Sequence, residues 1–311
     1  MEYVTLGRTG LRASVLGLGG GGHSRLGQKT GASADDSSAI VRRALELGVN
    51  FIDTAEAYGT EALIGAALQG VNRQDVILST KKSPVADGQP ISAQTLVAAL
   101  DASLARLGTD YVDIYHLHGV RAEHYARAAE ELVPALERLR DAGKIRFLGI
   151  TEVFGSDTGH AMLARAVHDP CWDVMMVGFN MLNQSARERV LAETQRRGIG
   201  TLCMFAVRDA LSRPAKLREV VAGLVAQGAL DPAKIDLDNA LGFLLEAADS
   251  LPEAAYRFCR AEPGLDVILS GTGNPQHLEE NVAAIVRPPL PEPLRQRVID
   301  LFGAIDSVSG Q

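Results

Sequence analysis

The chain reads as an α/β protein, a (β/α)8 barrel with an N-terminal β-hairpin and an extra C-terminal helix. Three observations predict this. Short apolar strands alternate with amphipathic helices along nearly the whole sequence. The strands are apolar on both faces, as in a parallel sheet covered by helices. They lie near residues 15, 50, 77, 114, 148, 176, 202 and 268. Eight βα units in ~290 residues is the arithmetic of a barrel. An open doubly wound sheet is the alternative pattern. No Pro/Ser-rich linker divides the chain, so residues 1–311 are expected to form one domain.

Taken in order, residues 3–14 predict a hairpin turning at Gly7-Arg8-Thr9-Gly10. Residues 15–18 predict the first strand. The glycines that follow include Gly17, Gly19 and Gly22, which satisfy G-x-G-x-x-G. No helix opens there, so they predict a loop and not a dinucleotide fingerprint. A helix over 33–47 has a Ser33 cap, Asp35 and Asp36 in its first turn, and Gly48 as its stop. Strand 49–53 and a helix near 61–69 follow. Strand 76–80 runs into Lys81 and Lys82, and helix 92–107 stops at Gly108. Then come strand 112–118, helix 128–142, strand 147–150, a helix near 158–168, strand 174–179, helix 185–197 and strand 200–205. The tract 208–263 reads as an elaborated seventh loop and helix. Strand 266–270, helix 275–285 and a helix over 291–305 complete the chain.

Composition limits the function classes. The net charge is −7, and no basic excess exists to bind phosphate backbones or anionic membranes. No apolar run reaches the ~18 residues of a membrane helix. Residues 1–5 lack a basic region followed by an apolar core, so no signal peptide is expected. Cys171, Cys203 and Cys259 are scattered and form neither a metal pattern nor a disulfide framework. A soluble, cytoplasmic protein acting on small molecules is the expectation.

In a barrel of this kind, functional residues sit at the C-terminal ends of the strands. Three consecutive strands end there in polar residues: Asp53, Lys81 and His118. Tyr58 lies on the loop just after the second strand. A free tyrosine has a pKa of about 10. A neighbouring ammonium such as Lys81 stabilises the phenolate and lowers that value. Buried Lys81 needs a counter-charge, which Asp53 supplies. His118 can orient a carbonyl or hydroxyl. Taken singly, each residue has an ordinary explanation: a helix cap, loop packing, a rim charge, a core histidine. Their joint placement predicts a tuned phenol that exchanges a proton at a carbinol carbon, with hydride coming from a bound cofactor. The set offers no nucleophile and no metal cage.

Four motifs in order carry a family resemblance. They are Phe51-Ile52-Asp53-Thr54-Ala55-x-x-Tyr58-Gly59-x-Glu61, Ser79-Thr80-Lys81, Asp110-Tyr111-Val112-Asp113-x-Tyr115-x-x-His118, and Gly143-Lys144-Ile145-Arg146-Phe147-Leu148-Gly149. Together with the opening Leu6-Gly7-Arg8-Thr9-Gly10-Leu11 and the segment 268–281, the chain resembles the aldo-keto reductase superfamily. The resemblance covers about residues 3 to 286. It implies NADP or NAD as cofactor, a small carbonyl or sugar substrate, and the tetrad Asp53, Tyr58, Lys81 and His118 with Tyr58 as general acid/base. His116-x-His118 and Arg146-Phe147-Leu148-Gly149-Ile150-Thr151 look most like the sugar (galactose-type) dehydrogenase branch.

The chain departs from the family where the nicotinamide should sit. The family has Ser-Asn after the fifth strand and Gln in the sixth; here Thr151, Glu152 and Met176 stand there. Met204 or Phe205 replaces the aromatic that stacks on the ring. An ionised Glu152 offers only acceptors, where an amide offers donors too. These changes leave an alternative open, a cofactor-binding sensor with a vestigial site. On the adenosine side the resemblance implies contacts from Gly271, Thr272, Gly273, His277, Glu280 and Asn281. The cations that would hold a 2′-phosphate are missing, which points toward NAD or dual use. His116 shares strand parity with His118, so it too should face the barrel interior, either as a satisfied core histidine or as a second polar contact below the site.

Overall fold

A computed structural model describes residues 1–311. Eight parallel strands close into a barrel. They are β1 (Leu16–Gly19), β2 (Phe51–Asp53), β3 (Ile77–Lys82), β4 (Val112–Val120), β5 (Ile145–Glu152), β6 (Val174–Gly178), β7 (Gly200–Met204) and β8 (Val267–Ser270). Each pairs in parallel with its sequence neighbours, and β8 returns to β1 through Ile268 opposite Leu16. The barrel therefore has no free edge. No helix is long and apolar enough to cross a membrane.

Local chemistry accounts for the helices. Ser33 accepts from the Asp36 amide, while the Asp36 carboxylate accepts from the Ser33 amide, a reciprocal cap that starts α1 (Ala34–Glu46). After the short α2 (Glu61–Ala67), Ser92 caps α3 (Ala93–Leu107), which ends at Gly108 in the left-handed conformation. The helix expected from residue 128 begins six residues earlier, as α4 (Ala122–Asp141), because it opens after Arg121 without a side-chain cap. The helix expected over 185–197 is a π turn, Arg187–Leu191, continuing as Ala192–Arg197. The tract 208–263 holds the helices Pro214–Ala226 and Leu251–Arg260.

The two ends of the barrel differ. At the N-terminal end, the antiparallel strands Tyr3–Thr5 and Arg12–Ser14 form the expected hairpin. Its Leu6, Leu11 and Ala13 are buried among Phe51, Ile77 and Ile114 and plug the barrel floor. Arg8 anchors this plug by donating to Asp173 and to the carbonyls of Pro170 and Trp172. The opposite end carries the loops after the strands. There the chain terminus folds over the sixth and seventh loops: Asn183 donates to the Val308 carbonyl at 2.8 Å, and the Ala210 amide to the Gly310 carbonyl at 3.0 Å. The floor is plugged by the hairpin, and the loops are built up on the C-terminal face.

Candidate active site

The four predicted residues come together on the C-terminal face. Asp53 is the last residue of β2, and Lys81 lies near the end of β3. The Lys81 side chain has no exposed surface. It donates to Asp53 Oδ2 at 2.6 Å and to the Thr54 carbonyl at 2.6 Å. Ser79 donates to the other Asp53 oxygen at 2.8 Å. Tyr58 is held over this pair by a turn, Glu56–Tyr58, that ends at left-handed Gly59. A 2.8 Å hydrogen bond between the Thr54 and Thr60 hydroxyls staples the turn. Lys81 Nζ lies 5.2 Å from the Tyr58 ring centre. The Tyr58 hydroxyl is 3.2 Å from His118 Nε2, and the two rings meet edge to face. Gly21 lets the β1 loop press against the phenol ring; a Cβ there would stand 2.7 Å from Tyr58 Cε2.

Burial dominates the electrostatics. It pushes Asp53 above the usual carboxylate range, against the pull of the Lys81 charge and of the hydrogen bonds from Lys81 and Ser79. The sequence reading expected Lys81 to lower the Tyr58 pKa on balance. The net direction is upward, because desolvation of the phenolate outweighs the favourable Lys81 charge, which still acts in the expected sense. His118 is pushed down to about 3, by burial first and by the Lys81 charge second. An imidazole with that pKa stays neutral from pH 4 upward. The pH profile of kcat/KM in the reductive direction should therefore be flat between about pH 6 and 8, with no inflection near the free histidine value of about 6.5. An inflection there that vanished in His118→Gln would show that His118 does ionise.

The residues expected around a nicotinamide divide. Thr151 accepts from the Gly119 amide at 2.7 Å and keeps its hydroxyl proton for another acceptor. Met176 and Met204 point into the barrel interior with Leu202 and Phe154. Met176 is 4% exposed and Met204 9%, so both act mainly as core filling. Glu152 corrects the expectation for it. Its side chain has no exposed surface. Its oxygens accept from the Gly178 amide at 2.8 Å and face His160 Nδ1 at 2.9 and 3.0 Å. A carboxylate committed in this way joins β5, β6 and the fifth loop and has no surface left for a ligand. Phe205 adopts φ +70° and stacks on Phe154. The Arg208 guanidinium lies 3.7 Å over its ring.

The segment expected on the adenosine side is a turn leading into the helix Pro275–Ile285. Gly271 is exposed, and Gly273 lies in close contact with Gly27 of the β1 loop. Thr272 accepts from the Asn274 amide at 3.0 Å, and Asn274 caps the helix by accepting from Gln276. His277 and Glu280 are exposed, and Glu280 accepts from Gln276 at 2.8 Å. Asn281 donates to Ser270 at 2.9 Å.

Two histidines differ from the sequence reading. His160 was not singled out. It adopts φ +61°, is fully buried, stacks on Phe154 at 5.2 Å and leaves Nε2 without a partner. The one signal for it was indirect: a carboxylate such as Glu152 in an apolar strand requires a nearby donor. His116 does face the interior, in register with Lys81 and with Gly149, whose missing side chain makes room for the imidazole. Of the two expectations for it, the satisfied core histidine is the weaker fit, since neither ring nitrogen has a well-formed hydrogen bond and only the Ile150 backbone acts on it as a weak partner. Burial and the Lys81 charge hold it well below the ordinary histidine value.

Known proteins fit this geometry. The sequence description of the aldo/keto reductase family matches residues 16–296. The chain is 30% identical over 297 residues to an L-galactose dehydrogenase of Arabidopsis thaliana, covering 92% of this chain and 88% of that protein. It is 26% identical over 313 residues to an NADH-specific methylglyoxal reductase of Escherichia coli, covering 92% and 94%. Its fold matches an aldo-keto reductase from Bacillus halodurans in holo form, with a TM-score of 0.75, 25% identity and both chains fully covered. None of these supports the alternative of a vestigial sensor. A closed eight-stranded barrel with matches along its whole length thus belongs to the aldo/keto reductase family, and the protein is an oxidoreductase that interconverts a carbonyl and an alcohol with a nicotinamide cofactor.

Proposed function

We propose that Tyr58 is the proton donor for reduction and the proton acceptor for oxidation, acting on a small hydroxy-aldehyde or sugar with NADH. The observation that carries this reading is the fully buried Lys81, ion-paired to Asp53 beneath the Tyr58 ring. Burial keeps the phenol protonated at neutral pH, as a donor to a carbonyl oxygen must be. Neutral His118, as the Nε2–H tautomer, donates to the Tyr58 oxygen and leaves the phenol proton aimed at substrate. In the oxidative direction the phenol must first ionise, and the Lys81 charge favours that state.

The residues present fit a nicotinamide cofactor. Exposed Gly271 and the capped start of an 11-residue helix form a phosphate-binding end. Thr151 offers a hydroxyl proton toward the ring carboxamide. The bound cofactor supplies the hydride. Thr272, Gly273, His277, Glu280 and Asn281 are proposed to surround the adenosine. Arg43, which reaches that helix, is tied to Glu279 and Glu46. With Gly271 and His277 standing where cations would hold a 2′-phosphate, NADH is the better fit. The sugar class rests on the L-galactose dehydrogenase named above. The free cysteines suit a reducing compartment such as the cytoplasm.

The reading is tested by titrating the chain with NADH and NADPH under nicotinamide fluorescence, then measuring turnover of aldehydes and aldoses. NADH is expected to give a kcat/KM at least equal to that of NADPH. A tenfold or greater preference for NADPH would show that the phosphate site is misplaced. Failure to bind either cofactor at millimolar concentration would sink the enzymatic role.

A further inference from the structure

Phe205 is held in a conformation that a phenylalanine seldom adopts. It is the first residue after β7 and has φ +70°, in the left-handed region that bulky side chains avoid. Such strain persists only where the surroundings hold it, and it collects at functional sites. Here the hold comes from buried Asn180, which donates to the Phe205 carbonyl at 3.3 Å and to the Ser309 carbonyl at 3.1 Å. The Phe205 ring packs on the cluster that contains Met176, Met204 and Phe154. That cluster adjoins Thr151, because Met176 lies opposite Thr151 in the sheet and Gly178 opposite Met204. Phe154 covers Gly178, where a Cβ would overlap its ring. Phe205 therefore stands on the C-terminal face, at the ends of the strands that also carry Thr151.

Phe154 backs the Phe205 ring on its buried side, with ring centres 6.0 Å apart. On the more exposed side stands half-buried Arg208, whose guanidinium carbon is 3.7 Å from the ring centre. Carbon atoms in contact stay about 3.5–4 Å apart, so a carbon that close to the ring centre lies over a face. The adjacent acid, Asp209, is taken by His23 and Arg213. Arg208 makes no ion pair and no side-chain hydrogen bond, and the ring is its one partner. A guanidinium that gives up hydrogen bonds to water for a ring face alone is weakly held. Through Asp209 and His23 this stretch also meets the β1 loop, whose Gly21 touches the Tyr58 ring. The stack and the phenol thus border one opening.

We propose that Arg208 gates the nicotinamide site: its guanidinium and the nicotinamide ring compete for the same face of Phe205. This deepens the proposed function and rests on it, since it takes the nicotinamide to lie beside Thr151. Both groups are flat and both are drawn to an aromatic face, the guanidinium by its charge and the nicotinamide by stacking. Only one can occupy it. Met204, the other residue expected at the ring, is buried in the cluster and offers no free face. Cofactor binding must therefore move the guanidinium into solvent, and the affinity is lowered by the cation–π contact given up. Because that contact is all that holds the Arg208 side chain, the exchange breaks no hydrogen bond.

The test is binding, read by calorimetry with two probes: NADH, and ADP-ribose, which keeps the rest of the cofactor and lacks the nicotinamide ring. Arg208→Ser uncovers the Phe205 face. It should tighten NADH binding by about 2- to 30-fold, the range a cation–π contact spans, and leave ADP-ribose within a factor of about two. Phe205→Leu should weaken NADH by about 2- to 10-fold and leave ADP-ribose unchanged. In the Phe205→Leu background, Arg208→Ser should lose its effect on NADH. Thermal melting checks folding, and Arg208→Gln replaces Arg208→Ser if the latter melts early. An unchanged NADH affinity in Arg208→Ser would overturn the inference. So would equal weakening of both probes, which would make Arg208 a ligand of the cofactor diphosphate. Either result leaves the oxidoreductase reading standing. Wild type and Arg208→Ser both failing to bind either probe at millimolar concentration would sink the two together.

Discussion

Tyr58→Phe should lower turnover by about 10²- to 10⁴-fold while leaving NADH affinity within a factor of about two. The substitution removes one oxygen and keeps the ring, so the contact with Gly21, the edge-to-face packing on His118 and the Lys81 charge below the ring all survive. What is lost is the proposed proton donor. The residual rate would come from hydride transfer unaided by a positioned acid, with water as the eventual proton source. His118 Nε2 loses its side-chain partner and is left part-buried, a secondary cost that His118→Gln would measure separately. Steady-state turnover and fluorescence titration on the same preparation separate the two quantities. A variant retaining more than about a tenth of wild-type turnover would show that the proton comes from elsewhere.

The grouping of Asp53, Tyr58, Lys81 and His118 was legible in the sequence for a physical reason. Polar residues are rare in strands apolar on both faces, so Asp53, Lys81 and His118 at consecutive strand ends stand out without any knowledge of contacts. Most helix boundaries were legible because caps and stops are local chemistry, as Ser33 and Gly108 show. The start of α4 was not, since it has no capping side chain to read. The fate of Glu152 was equally hidden. It depends on His160, eight residues on, in a left-handed loop conformation that no periodic pattern marks. The sign of the Tyr58 shift was misjudged for a related reason: the Lys81 charge can be inferred from sequence, but depth of burial is set by the assembled loops.

Lys81→Met should destabilise the fold by about 3–5 kcal/mol, because it leaves the Asp53 carboxylate buried without its counter-charge. Asp53 is 3% exposed and would keep only the hydrogen bond from Ser79. Its pKa, already raised by burial, would rise further once the Lys81 charge is gone. A carboxyl whose folded pKa lies above its unfolded value of about 3.9 binds its proton more tightly when folded. The stability of Lys81→Met, followed by urea unfolding, should therefore fall relative to wild type as pH rises from about 4 through the new folded value, and then level off. Adding Asp53→Asn removes the stranded charge, so the double variant should recover much of the lost stability and flatten that pH dependence. Turnover should not recover with it. The Lys81 charge favours the Tyr58 phenolate more than the Asp53 charge opposes it, and both variants lack Lys81, so alcohol oxidation near neutral pH should stay below wild type in each. A double variant that regained stability and oxidation together would reduce Lys81 to a structural partner of Asp53. Stability regained without oxidation would separate the two duties of one buried ammonium, holding the end of β2 and tuning the phenol above it.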